Sequence, residues 1–156
     1  HYSDYTRDKD GKMACKMLCK MAAEQKCQGK DLVRRLEEIN EQYGYTESIT
    51  TALVYKQEKD RQRMAAMVKS LFDGKLKECA ALGKEIKKEF CYRTQNMYCA
   101  DLADGCRVIV RPSGTELKLK IYIFAKGATR EEAIDKAARL CALVRRTLEE
   151  EERKNE

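Results

Sequence analysis

An α+β fold is predicted: an antiparallel sheet of four to five strands with helices on one face, preceded by a short helical segment. Three observations predict it. From Lys84 to Phe124, short runs rich in β-branched and aromatic residues recur, separated by turn signals. A pattern stepping by three and four follows them and opens with a capping box. Ahead of both lie two helical patterns punctuated by glycine.

In chain order, Ala14, Met17, Leu18, Met21 and Ala22 mark one face of a first helix that Gly29 ends. Asp31 can cap a second helix with the apolar stripe Leu32, Leu36, Ile39 and Tyr43, and Gly44 stands where a left-handed terminator belongs. A DNA-reading helix-turn-helix is disfavoured, because Glu37, Glu38 and Glu41 would meet phosphates and be repelled. Ser48 to Tyr55 reads as a strand, and a domain boundary falls near residue 46. Lys59 to Phe72 is helical, with Met64, Met67, Val68 and Leu71 spaced for one buried face. That stripe reads as adaptable packing, not a functional box. Residues 75–83 fit either coil or a helical turn.

Strands are then expected at Glu85 to Tyr92, Met97 to Ala100, Cys106 to Arg111 and Leu117 to Phe124. Gln95-Asn96 and Asp104-Gly105 supply turns, so a meander results. Thr129-Arg130-Glu131-Glu132 caps a last helix whose Ile134, Ala137, Ala138, Cys141, Val144 and Leu148 should cover the apolar face of the sheet. Glu149 to Glu156 lacks an apolar residue to bury, and 151–156 is predicted to be disordered. The domains expected are thus 1–46, 47–150 and that tail.

Chemistry concentrates in Arg111-Pro112-Ser113-Gly114-Thr115-Glu116, between the last two strands. Pro112 fixes one backbone angle and Gly114 permits conformations other residues resist, which suits a tight loop presenting its own amides. Arg111 offers a planar fork of donors, and Ser113 and Thr115 add hydroxyls, an inventory matched to phosphate or carboxylate. The following Leu-Lys-Leu-Lys-Ile-Tyr-Ile alternates strictly, with Leu117, Leu119, Ile121 and Ile123 on one face and Lys118, Lys120 and Tyr122 on the other. A basic hairpin with a plain Ser-Gly turn is the alternative.

With 156 residues, 43% of them hydrophobic, the chain can hold one good core and a smaller appendage. No apolar run approaches the roughly 20 residues that span a bilayer, and the first residues lack the apolar core of a secretion signal. A soluble, cytoplasmic protein without a membrane partner is expected. Charged residues make up 37% and the net charge is +6, a balance that attracts anions without marking a nucleic-acid binder. Most of that charge should be solvated helix surface. The eight cysteines form no Cys-x-x-Cys pair and His1 is the one histidine, so neither a metal site nor Ser-His-Asp or Cys-His catalysis is expected. The cysteines, Cys141 among them, read as small buried hydrophobes in a reducing compartment.

Arg-Pro-Ser-Gly-Thr-Glu followed by Leu-Lys-Leu-Lys-Ile-Tyr-Ile resembles the phosphate-binding loop in the last domain of the α-D-phosphohexomutases, the phosphoglucomutase and phosphomannomutase group. Leu117 stands where relatives usually have proline. Arg-Asp-Lys-Asp-Gly with a Met/Ala-rich helix and then Tyr-Gly-Tyr is similar to the end of the family's third domain. The family's Gly-Glu-Glu-Ser-like recognition motif is not in the chain, and Tyr5 stands where some relatives carry histidine.

The resemblance implies the tail of domain three followed by domain four, the latter with a fold similar to the TATA-binding protein's repeat. It implies that Arg111, Ser113, Gly114, Thr115 and Lys120 grip the non-reacting phosphate of a hexose phosphate, and that Arg7 and Lys9 lie at the active-site mouth. A phosphoserine of the first domain and a Mg²⁺ held by aspartates of the second would carry the phosphoryl transfer, so no catalytic or metal-ligating residue is expected here and the chain alone should be inactive. Hexose phosphate and the remaining mutase domains are the implied partners. The rival is a stand-alone anion- or nucleic-acid-binding module; Tyr122 is the obvious aromatic on the polar face of the signature strand, too little for a stacking platform, so no nucleic acid is expected.

Overall fold

The computed structural model describes residues 10–74, 86–92 and 96–154. The expectations for Arg7, Lys9, residues 75–83 and Gln95 lie outside the described residues. The chain divides into two units, His1–Gly44 and Tyr45–Glu156.

In the first unit, α1 (Gly11–Cys27) and α2 (Leu32–Tyr43) begin at aspartate caps. Asp10 accepts from the amides of Lys12 and Met13 at 3.0 and 3.1 Å, and Asp31 from that of Arg34 at 2.7 Å, satisfying amides that have no intrahelical partner. Gly29 at φ 71° and Gly44 at φ 86° take the conformations that end each helix. Neither helix buries a residue: Leu18, Met21, Leu36 and Tyr43 are all exposed.

The second unit is an α+β domain. Its elements are β1 (Tyr45–Val54), α3 (Asp60–Phe72), β2 (Ile86–Tyr92), β3 (Met97–Leu102), β4 (Arg107–Pro112), β5 (Lys118–Gly127) and α4 (Arg130–Lys154). The strands form one antiparallel five-stranded sheet in the order β1-β5-β4-β3-β2. Strands β2 to β5 are the expected meander, and β1 adds to it beside β5. At the β3–β4 turn, Gly105 sits at φ 83° and Asp104 accepts from the Cys106 amide at 3.1 Å.

Period-two alternation sorts the sheet into two faces. Leu53, Tyr98, Val108, Val110, Leu119, Ile121, Ile123 and Ala125 are buried against α3 and α4. From α3 come Met64 and Met67, 1% and 2% exposed, so the methionine stripe is core packing as predicted. From α4 come Ala137, Leu140, Val144 and Leu148. The cap forms with one shift from the expected box: Thr129 Oγ1 accepts from the Glu132 amide at 3.2 Å, while Glu132 Oε2 accepts from the amide of Ala128, one residue ahead of the cap, at 2.7 Å. Thr129→Ala is expected to lower stability by about 1 kcal/mol, read as a shift of the urea midpoint at unchanged slope.

Three expectations need correction. First, β1 starts at Tyr45, three residues before Ser48, because β5 runs past Phe124 to Gly127 and gives Tyr45, Thr46 and Glu47 partners. Second, α4 continues through Lys154, into the segment expected to be disordered. Glu151 is 8% exposed there, and burial pushes up the phenol pKa of Tyr55, helped by the negative charge of Glu152; the Tyr55 hydroxyl donates to Met67 Sδ at 3.3 Å. A run of glutamates is ordered by what its turn of helix reaches, which composition does not record. Third, of the cysteines described, Cys99 and Cys106 are buried and Cys141 half-buried, but Cys15, Cys19 and Cys27 of α1 are exposed.

Candidate anion-binding site at a sheet corner

The loop from Arg111 to Leu117 joins two central strands, which fixes its ends. Arg111 pairs with Lys120 and Pro112 with Leu119 in the β4–β5 register. The Ser113 amide then donates to the Lys118 carbonyl at 2.8 Å, and the Lys118 amide to the Glu116 carbonyl at 2.9 Å, closing the turn. A third tie comes from the residue after β1: the Tyr55 amide donates to the Leu117 carbonyl at 2.9 Å. Leu117, the residue that departs from the resembled pattern, is half-buried against the core and keeps that carbonyl in place.

The register places Arg111 and Lys120 side by side on the face away from the helices. Arg111 is oriented by Tyr122: Nη2 donates to the phenol oxygen at 3.2 Å and the guanidinium carbon lies 5.7 Å from the ring centroid. Lys120 lies 3.7 Å and Lys118 2.8 Å from the Glu116 carboxylate, whose pKa is lowered first by the hydrogen bond from Lys118. Two lysines therefore flank one exposed carboxylate and Arg111 stands beside Lys120, a local excess of positive charge at the corner.

The loop's own donors divide. Gly114 and Thr115 are exposed at the tip, whereas Ser113 is only 5% exposed. Gly114 has no positive φ, and a Cβ built on it would meet nothing within 4 Å. The conformational reason given for this glycine from sequence is therefore not the operative one. What glycine provides is open space over the backbone, where an anion can approach the amides. Sequence reasoning gave Tyr122 no role and overlooked Glu116 as the partner of both lysines; the alternation of the strand and the spacing to Lys118 and Lys120 were the available signals.

At the other end of the same face, Arg107 holds Asp101 through two hydrogen bonds, Nε to Oδ1 at 2.5 Å and Nη2 to Oδ2 at 3.0 Å. That interaction keeps the Asp101 carboxyl below its usual range. Among the described residues, no group of three or more His, Cys, Asp or Glu is placed to hold a metal ion. The residues described therefore do not fit a Mg²⁺ site.

An α+β domain that presents a basic loop at a strand-to-strand corner is the class of protein that fold and site define. Residues 57–140 match the family model for the C-terminal domain of phosphoglucomutase/phosphomannomutase, and the chain belongs to that family. It is also similar to a probable phosphomannomutase of Haemophilus influenzae, 27% identical over 135 residues, covering 83% of this chain and 27% of that protein. The chain thus spans about a quarter of the length of the relative it matches. The resemblance read from the loop and its strand is borne out. No helix among the described residues is long and apolar enough to cross a membrane.

Proposed function

We propose that this chain is the C-terminal portion of a phosphoglucomutase or phosphomannomutase, and that its corner loop grips the non-reacting phosphate of a hexose phosphate during intramolecular phosphoryl transfer. The observation that carries the reading is the pairing of Arg111 with Lys120 beside the exposed Gly114-Thr115 tip. A dianion there would meet the fork of Arg111, the point charge of Lys120, the Thr115 hydroxyl and the tip amides, with Ser113 supporting the turn from beneath. Such a grip on the end that does not react orients the end that does. Binding energy taken from a remote group can also be spent on the transition state.

In this reading the phosphoserine, the Mg²⁺ and its aspartates belong to other parts of the enzyme. The first unit, His1–Gly44, is the end of the third mutase domain, and Arg7 and Lys9 lie near the active-site mouth. The polypeptide alone is then inactive, and acts in the cytoplasm only together with the remaining mutase domains. Titration of the ¹⁵N-labelled chain with inorganic phosphate and with glucose 6-phosphate tests the grip. Shifts confined to residues 111–120, with a dissociation constant on the order of millimolar, are expected for one isolated phosphate subsite. Absence of shifts at Gly114 and Thr115, or robust conversion of glucose 1-phosphate by this chain, would refute the reading.

A further inference from the structure

The face of the sheet opposite α3 and α4 is more than a support for the loop. Register places three rows across it. One runs Lys88, Asp101, Arg107, Phe124; the next Phe90, Cys99, Ile109, Tyr122; and beyond them Arg111 pairs with Lys120, with Tyr92 on the same face of β2. The middle row is apolar and aromatic, and Cys99 is buried within it. Cations flank it: Lys88, Arg107, Arg111, Lys118, Lys120 and Lys126 face Asp101 and the loop's Glu116. Six cations against two carboxylates leave this face with a net positive charge.

The aromatic rings are presented, not hidden. Tyr92 is 47% and Phe124 38% exposed. Phe90 and Tyr92 are stacked with centroids 6.5 Å apart and planes 17° from parallel. Lys88 lies 4.5 Å above the Phe90 ring. Around Phe124, Ile109, Arg107 and Lys126 the face sinks into a depression of about 630 Å³. On the signature strand the expectation counted only Tyr122; its parity adds Phe124, and pairing of β2 with β3 brings Phe90 and Tyr92 to the same face.

We propose that this face of the sheet, opposite α3 and α4, is a binding site for single-stranded nucleic acid. Rings that can stack on bases, set among cations that can track phosphates, are what a sequence-tolerant single-strand binder needs. Charge complementarity selects a polyanion, and the exposed rings select one with unpaired planar groups. A duplex hides its bases, and a sheet about 19 Å wide from five strands cannot enter a major groove about 12 Å wide. The longest strand spans roughly 30 Å, room for three to five nucleotides in an extended strand. This site goes beyond the phosphate grip and shares with it Arg111, Lys118, Lys120 and Tyr122 at one corner.

Fluorescence anisotropy of the full chain with labelled decamers of dT and rU tests it. Micromolar binding is expected at 50 mM salt, falling as salt rises with a log–log slope of about −2, for some three phosphates neutralised. Phe124→Ala and Tyr92→Ala should each weaken binding on the order of five- to a hundredfold. Both side chains are exposed, so the fold survives their removal, and unchanged glucose 6-phosphate shifts at Gly114 confirm that the loop is intact in each variant. Lys88→Ala combined with Lys126→Ala should reduce the salt slope by one to two. No binding at 100 μM chain, equal affinity for a ten-base-pair duplex, or binding insensitive to both aromatic substitutions overturns the proposal. Equal competition by polyglutamate also overturns it, indicating an acidic protein partner instead. Each of these results leaves the phosphate reading of the loop standing or falling on its own titration.

Discussion

Arg111→Ala is expected to weaken phosphate and hexose-phosphate binding about a hundredfold, the largest effect of any single change in the corner loop. The side chain leaves the last pair of β4 before Pro112 and is half-buried, so little entropy remains to be lost on binding. Tyr122 already holds its guanidinium by a 3.2 Å hydrogen bond and by its ring. Hydrogen bonds to charged groups contribute about 1.5–3 kcal/mol each, and a guanidinium can donate two in parallel to a phosphate. Allowing for the solvent that reaches the loop tip, a net loss of about 3 kcal/mol remains, which is the hundredfold. Lys120→Ala removes one flexible point charge that Glu116 already engages, so a smaller loss of about fivefold is expected. Tyr122→Phe keeps the ring and loses only the phenol bond, for roughly a twofold change. The readout is the shift of the Gly114 amide against phosphate concentration. Equal affinities for wild type and Arg111→Ala would remove the physical basis of the phosphate grip.

Much of this site was legible because strands fix side-chain direction by parity. Leu117 to Ile123 alternates so strictly that the assignment of Leu119, Ile121 and Ile123 to the core and of Lys120 and Tyr122 to the open face needed only one strand. Caps were legible for a related reason: Asp31 and Thr129 act on amides three residues away, a range that sequence shows directly. Whatever depends on which strands are neighbours was not legible. Phe90 and Tyr92 join the loop's face only through the β2–β3–β4 register, and β1 gains its first three residues only because β5 is longer than its apolar alternation suggests. The helical continuation past Leu148 likewise brings the charge of Glu152 to bear on Tyr55, nearly a hundred residues back in the chain.

Glycine shows the same divide, and it sets up the second large effect. Gly114, prominent in the loop, has open space where a Cβ would lie, and no left-handed angle. Gly114→Ala is therefore expected to leave stability within about 0.5 kcal/mol of wild type. Gly127, inconspicuous in sequence, is different. It ends β5 opposite Tyr45, and three residues later α4 begins. A Cβ there would stand 2.6 Å from the Ala133 amide nitrogen, 2.8 Å from the Thr129 carbonyl oxygen and 3.1 Å from the Ala133 Cα. All three are backbone atoms of the first turn of α4 and its cap, so no rotamer change relieves the overlap. The Thr129 carbonyl also accepts from the Ala133 amide at 3.1 Å, so a displaced turn would strain that bond together with the Glu132 capping bonds. Overpacking of this kind costs about 1–3 kcal/mol, and simultaneous loss of cap geometry places Gly127→Ala near the top of that range. With α4 supplying Ala137, Leu140, Val144 and Leu148 to the core, the shift should spread to the whole unit. A fall in Tm of roughly 10 °C in one cooperative transition is expected, against no measurable fall for Gly114→Ala. If the two alanine variants melt together, the helix does not sit on the strand end as closely as these distances require.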